Sequence, residues 1–471
     1  MLFQRFPNFG FPACGVKIDT LMIKEGECNM KKLIALLLVL VMALSLVACG
    51  GSEEAAETKA AAAEGEAAAS TEAGSVYYLN FKPEADAAWQ ALAAAYTAET
   101  GVEVKVVTAA GGNYADTLNA EMAKDTAPTL FNCGNAQSLK DWADYTLDLT
   151  GTAFANELAT NDFNLYDEDG ALKAVGYCYE SYGIIVNVDL LNAAGYELAD
   201  ITNFETLKAV ADDIHARSAE LGFDAFSSAG LDSSSSWRFS GHLANMPLFY
   251  EFRDDGVTAQ PATITGAYLD NFRQIWDLYI TDSSADVASL ATSTGDESKA
   301  MFTEGKAVFH QQGSWEYANL TGKGMTNLAM IPIYCGVEGE EQAGLCSGTE
   351  NCWAVNAQAS EADIQATLDF LYWVVTSEAG TQMLADEFGA VPFKAAKTPE
   401  NVFCANANEM VADGKYTVTW AFNHTPNVDA WRATVVTALT AYSVDPSDAN
   451  WATVVEAFVD GWAYEYTMAN G

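Results

Sequence analysis

Tryptophans set beside amides, carboxylates and hydroxyls are the residues of this chain best suited to chemistry, and that chemistry is recognition. Four segments carry the pattern: Ser236-Trp237-Arg238, Gln312-Gly313-Ser314-Trp315-Glu316, Gly348-Thr349-Glu350-Asn351-Cys352-Trp353 and Trp420-Ala421-Phe422-Asn423. A flat aromatic face covers an apolar ligand face, while neighbouring Asp, Glu, Asn, Gln, Lys and Arg satisfy a rim of hydroxyls. A sugar ring presents both surfaces. Taken singly, each aromatic has as strong a claim to the core as to a site; together the four segments favour a site.

Reaction chemistry finds little support. The four histidines, His215, His242, His310 and His424, include no H-E-x-x-H pair, and the chain has no G-x-S-x-G elbow, phosphate-binding loop or G-x-G-x-x-G turn. Asp167-Glu168-Asp169-Gly170 hints at a calcium loop, but Leu165 and Gly176 would fall at its first and twelfth positions, so a turn between strands is expected instead. Neither a metal nor a cofactor is expected.

One cysteine stands apart. Lys31 and Lys32 precede an apolar run, Leu33 to Ala48, too short to span a bilayer comfortably, and Leu46-Val47-Ala48-Cys49-Gly50 follows the form of a bacterial lipobox. In such signals the Cys thiol receives a diacylglyceryl group, and buried acyl chains then hold the protein at the membrane. Residues 30–48 are expected to be the signal, Cys49 the lipid anchor, and 1–29 an over-extended start. Of the other cysteines, Cys14 and Cys28 lie in that upstream stretch. Cys133, Cys178, Cys335, Cys346, Cys352 and Cys404 form no C-x-x-C and no zinc spacing. A local Cys346–Cys352 bridge is conceivable, and free buried thiols are at least as well supported.

The elements that must position the aromatics come next. With 23 Lys+Arg against 64 Asp+Glu the net charge is −41. That field repels phosphate backbones and anionic lipid surfaces, which argues against nucleic acid as a partner. Residues 49–74 are Ala/Glu/Gly/Ser-rich and read as a linker. Beyond it, Val76-Tyr77-Tyr78-Leu79 reads as a strand, and Trp89, Leu92, Ala93 and Tyr96 as one helix face ending at Gly101. Val102, Val104 and Val106 form a half-buried strand, and Thr129-Leu130-Phe131 another after a helix. Alternating strands and helices predict a parallel sheet with helices on its faces. Gly183-Ile184-Ile185-Val186-Asn187 reads as a buried strand. Ile364, Leu368, Leu371, Tyr372 and Val375 read as a core-facing helix stripe after a Ser360-x-x-Asp363 cap.

Several stretches, in this order, resemble the carbohydrate-type extracellular solute-binding proteins of ABC importers, the group that includes maltose-binding protein. They are Asn80-Phe81-Lys82-Pro83-Glu84; Glu180 to Leu191; Phe302-Thr303-Glu304-Gly305-Lys306-Ala307-Val308-Phe309 running into Gly313-Ser314-Trp315; and Phe388-Gly389-Ala390-Val391-Pro392 after a helix. The resemblance implies an α/β fold of two lobes with a hinge and a ligand cleft between them. Lobe one would hold 75–183 and 346–395, the hinge strand 184–187, and lobe two 188–345 and 396–471. In open α/β sheets the site lies beyond the carboxyl ends of strands. It would take Lys82, Glu84, Asn135 and Glu180 from one wall and Trp237, Arg238, Gln312 and Trp315 from the other. Glu350 and Asn351 would follow a chain crossing, and Trp420 would come from the C-terminal region. Trp315 would be the stacking platform and Glu180 a hydroxyl acceptor.

The implied protein is a monomeric, non-enzymatic sugar receptor, held at the extracellular face of the cell membrane by its lipid and passing its ligand to the permease subunits of an ABC transporter. A lipid-anchored glycoside hydrolase, and a ligand receptor for a sensor kinase, are the alternatives. Replacing the anchor, Cys49→Ala, should move the protein from the detergent phase to the aqueous phase on partitioning of cells of a native host. Equal membrane fractions for variant and parent would contradict the lipobox.

Overall fold

All five residues of the first strand, β1 (Val76–Asn80), are buried, as a strand covered on both faces requires. The computed structural model describes residues 74–471 apart from residue 111; the upstream stretch, the signal, Cys49 and nearly all of the linker lie outside the described residues. β1 belongs to a sheet with β2 (Val104–Thr108), β3 (Leu130–Asn132), β4 (Leu165–Tyr166), β5 (Leu172–Gly176) and a late strand, Cys352–Val355. A second sheet holds β6 (Glu180–Asn187), β7 (Asp224–Phe226), β8 (Ala307–Gly313), β9 (Leu328–Ile331), β10 (Ala343–Gly348) and, after β11 (the late strand just given), β12 (Tyr416–Thr419). The sheet orders are β2–β1–β3–β11–β5–β4 and β12–β10–β6–β8–β7, with β9 paired to β6.

The first sheet is mixed rather than purely parallel. β1 runs parallel to β2 and β3, but β11 is antiparallel to both β3 and β5. β11 enters from the other lobe and so runs against its neighbours, and β4 and β5 close as a hairpin. That hairpin turn is the Asp167–Gly170 segment. Asp167 Oδ1 accepts from the N–H groups of Asp169 and Ala171, and Gly170 sits at φ +83°, a conformation suited to glycine.

The helix Asp86–Thr100 buries Trp89, Leu92, Ala93 and Tyr96 and stops at left-handed Gly101, as its spacing predicts. The helix Glu361–Thr376 differs from its predicted stripe. Its buried face is Ala366, Thr367, Phe370, Leu371, Val374 and Val375, and Tyr372 is 41% exposed. Ile364 and Leu368 still pack, partly buried, against the core, and Thr367 Oγ1 lies 2.7 Å from Thr129 Oγ1 in the buried interface.

The chain passes between the sheets at 177–179, again at 349–351, and a third time between β11 and β12; the first two passages are the short ones. The expected hinge strand 184–187 instead pairs along its length with β8 and β9 inside the second sheet. The apolarity of Gly183–Asn187 reports burial within a sheet, not a passage between sheets. By the same pairing, 180–183 and 346–348 belong to the second sheet. Cys346 therefore lies in one sheet and Cys352 in the other. They do not pair, and the six cysteines among the described residues are free and buried.

Trp353 lies in the middle of β11 and is core, not cleft. It is fully buried, stacks on Tyr177 at 4.1 Å and 12°, and donates from Nε1 to the Tyr78 hydroxyl at 3.2 Å. Trp353→Ala should therefore cost about 3–5 kcal/mol of stability, read by urea unfolding of the unliganded protein. A loss below about 1 kcal/mol would mean the ring is not packed as described.

Candidate functional site

The loop after β1 is held from within. Asn80, fully buried, accepts from the Lys82 N–H at 3.0 Å and donates to the Lys82 carbonyl at 2.7 Å. Pro83 then starts a short 3-10 turn. The clamp aims Lys82 at the first chain passage. Its Nζ donates to both Glu180 oxygens, at 2.8 and 3.0 Å, and lies 3.1 Å from Glu84. Glu180 also accepts from Asn351 Nδ2 at 2.6 Å. One buried cluster thus joins the first-lobe loop to the two short passages. Burial acts to lower the Lys82 pKa, but Glu180 and then Glu84 outweigh it and hold the ammonium above its ordinary value.

Beside the cluster is an aromatic wall. Trp315 follows the end of β8, and its ring lies over Gly313: a Cβ added there would fall 2.2 Å from ring carbons. Its Nε1 donates to Gln312 Oε1 at 3.1 Å, and Lys82 Nζ approaches its ring centroid to 5.3 Å. Trp420 follows β12 and lies over Gly348, where a Cβ would fall 2.6 Å from its ring. His242 stands between them. It stacks on Tyr182 at 4.1 Å and 7° and lies 5.0 Å from Trp237, 5.3 Å from Trp315 and 5.9 Å from Trp420. Burial, and after it the charges of Arg432, Lys82 and Arg238, drive its pKa well below 6.5, which favours the neutral ring. A π-helical turn, Arg238–Leu243, presents it; such widened turns recur at functional sites.

These groups line a cleft of about 1180 Å³ between the two lobes. That exceeds the usual size range of a drug-sized pocket. The arrangement offers aromatic faces, hydrogen-bonding groups and charge. Among the described residues, no group of three or more His, Cys, Asp or Glu side chains is placed to hold a metal ion.

The sequence pattern of a family described as bacterial extracellular solute-binding protein matches residues 91–411, well over half of the chain. The chain belongs to that family. Solved structures agree in fold. One is a solute-binding protein, RafE, in complex with raffinose: 14% identity, TM-score 0.65, covering 83% of this chain and 99% of the other. A second is a chitin oligosaccharide binding protein: 17% identity, TM-score 0.64, coverage 83% and 98%. A third is the bacterial solute receptor AcbH, described with an exclusive preference for β-D-galactopyranose: 16% identity, TM-score 0.65, coverage 84% and 100%. No curated protein sequence matches. The family binds solutes, so this member is a binding protein and not an enzyme.

In this solute-binding protein the cleft brings together Lys82, Glu84, Asn135, Glu180, Trp237 and Arg238, and with them Gln312, Trp315, Glu350 and Trp420. Asn351 is the exception. It is fully buried behind Glu180 and orients that carboxylate without lining the cleft. Two lining residues have local tasks. Asn135 caps the helix Ala136–Asp141 by accepting from the Ser138 N–H at 2.8 Å. Arg238, 1% exposed, donates to the Gln311 and Ser228 carbonyls and the Ser235 hydroxyl, and burial lowers its pKa to about 10.

His242, Glu316 and Arg432 are among the lining residues that the sequence reading did not name as site residues. Glu316 adjoins Trp315 and could have been taken with it. His242 depends on the π-turn, and Arg432 on the docking of the helix Val428–Val444; neither leaves a local signal.

Gly313 leaves room for the Trp315 ring, so Gly313→Ala should push the ring off its seat. The expected result is a shift in tryptophan emission and a loss of ligand affinity of about tenfold or more, with stability changed by less than about 1.5 kcal/mol. Unchanged emission and affinity would show that the ring needs no glycine beneath it.

Proposed function

We propose that this chain is a lipid-anchored receptor that captures a carbohydrate outside the cell and delivers it to the permease of an ABC importer. The observation that carries the reading is the cleft wall of Trp237, Trp315 and Trp420 beside Gln312, Glu84 and Glu350. Aromatic faces match the C–H face of a pyranose, and amide and carboxylate groups match its hydroxyls. The ligands of the structural neighbours, raffinose, chitin oligosaccharide and β-D-galactopyranose, support it. Among the described residues no helix is long and apolar enough to cross a membrane, so attachment would rest on the lipid at Cys49.

Capture would proceed by closing the lobes about the passages at 177–179 and 349–351, ligand binding favouring the closed arrangement. A thermal-shift screen of mono- and oligosaccharides tests the ligand class. A sugar at 100 times its Kd adds about 2.7 kcal/mol. No stabilisation by any sugar, together with stabilisation by peptides or amino acids, would overturn the carbohydrate reading. Small-angle scattering with the best ligand should show a smaller radius of gyration at saturation; an unchanged radius would count against closure.

A further inference from the structure

Arg432 is the least engaged cation of the cleft. Its side chain is only 17% exposed, yet its guanidinium makes no hydrogen bond among the described residues. Its Nε is buried without a partner, and Asp429, the acid nearest to it, stands 3.9 Å away. Packing seats the group instead. The guanidinium carbon lies 5.4 Å from the Phe422 ring centroid, and a Cβ on Gly241 would fall 2.8 Å from Nη2. By contrast Lys82 is held by Glu180 and Glu84, and Arg238 donates to two carbonyls and a hydroxyl. A largely buried guanidinium without an acceptor is costly, and a ligand that brings one removes the cost.

Arg432 stands near the start of the helix Val428–Val444, and the N-terminus of that helix lines the same cleft. An asparagine in the capping position ordinarily accepts from an N–H of the first turn. Here Asn427, at φ +40°, makes no such bond and turns its amide to Glu465, donating to Oε2 at 2.9 Å. The N–H groups of Val428, Asp429 and Ala430 therefore have no acceptor among the described residues; the first bond of the helix runs from the Trp431 N–H to the Asn427 carbonyl. Aligned peptide dipoles place about half a positive charge at such an end. Two further donors line the cleft unpaired: the hydroxyl of Thr425, a fully buried residue, and Nε1 of Trp420, which is 5% exposed. Guanidinium, helix end, hydroxyl and indole all lack the same thing, an acceptor oxygen, and the first two favour a negative one.

The acids nearby leave room for an anion. Glu350 lies in the field of Arg432, but burial, first among the causes, pushes its carboxyl above the ordinary range and favours the protonated acid, which can itself donate. Asp429 is 56% exposed, so water screens it. The net charge of −41 acts mainly at distances beyond about 8 Å, where physiological salt screens it, so short contacts decide what is held. One guanidinium and a helix end balance a single negative charge better than two, which favours a carboxylate over a phosphate. We propose that the cleft contains a carboxylate subsite, in which Arg432, the free N–H groups of Val428, Asp429 and Ala430, and the Thr425 hydroxyl take the acid group of a uronic-acid sugar. This rests on the carbohydrate reading and names a ligand class within it.

The test uses the full-length chain. Galacturonate and glucuronate, as monomers and short oligomers, are screened by thermal shift beside galactose, glucose and their oligomers. The uronate giving the largest shift is then compared by calorimetry with its methyl ester, which keeps the shape and loses the charge. The acid should bind at least about tenfold more tightly than the ester, and the gap should narrow as salt is raised. Arg432→Gln should cut the acid-to-ester affinity ratio at least about fivefold. Asp429→Asn, which removes an acid beside Arg432, should raise that ratio and gives a reading even if Arg432→Gln does not fold. An ester that binds as tightly as the acid, or stabilisation by neutral sugars and by no uronate, would overturn this inference and leave the carbohydrate reading intact. A ratio unchanged in both variants would overturn the placement of the subsite. A sulfate or phosphate ester of the same sugar that binds more tightly than the uronate would overturn the carboxylate assignment. No shift from any sugar, neutral or acidic, would overturn the carbohydrate reading, and this inference with it.

Discussion

The contact on which the site depends is the buried cluster of Lys82, Glu180 and Asn351. Lys82 comes from the loop after β1, Glu180 opens β6 at the end of the first passage, and Asn351 ends the second. Removing one partner would leave a charge buried without compensation, which costs far more than a surface ion pair contributes. The cluster therefore determines where the two short passages and the first loop lie relative to one another. Trp315, 5.3 Å from Lys82 Nζ, is located by the same charge.

Around that pivot, contacts between the lobes grow weaker toward the rim. Gly112 approaches the Ser233 carbonyl so closely that a Cβ would fall 2.5 Å from the oxygen, and Lys140 donates to Asn470 at 3.1 Å on an exposed surface. An exposed hydrogen bond and a backbone touch contribute little against water. Opening about the passages would break these rim contacts while each sheet kept its strand pairing. Strong buried interactions at the pivot and weak ones at the lip are what the proposed closure would require.

Much of the fold was legible because it rests on local periodicity. The stripe Trp89–Tyr96, the turn at Asp167–Gly170 and the strand leading into Gly313-Ser314-Trp315 each follow from neighbours in sequence. The chain passages were not legible in the same way. β6 is apolar from Tyr182 to Val186 because its side chains pack into core on both faces of the sheet, and apolarity does not say to which sheet a strand belongs. The first three strands are parallel, as their alternation with helices predicts; the antiparallel β11 was not legible, because its direction is decided by where the chain returns from, more than 200 residues after β3.

The aromatics show the same division within the site. Trp353 and Trp315 have similar polar neighbours in sequence, yet one is core and the other lines the cleft. What separates them is position along a strand. Trp353 sits inside β11, where a side chain must stack on the sheet's own layers; Trp315 and Trp420 come just after β8 and β12 end, where side chains project past the sheet. Each of those two rings also lies over a glycine, Gly313 or Gly348, that ends a strand of the second sheet. A strand ending in glycine exposes backbone that a ring can cover closely. The pairing of terminal glycine and following tryptophan is explicit at Gly313 and Trp315, two residues apart. It is invisible at Gly348 and Trp420, which only the parallel pairing of β10 with β12 brings together.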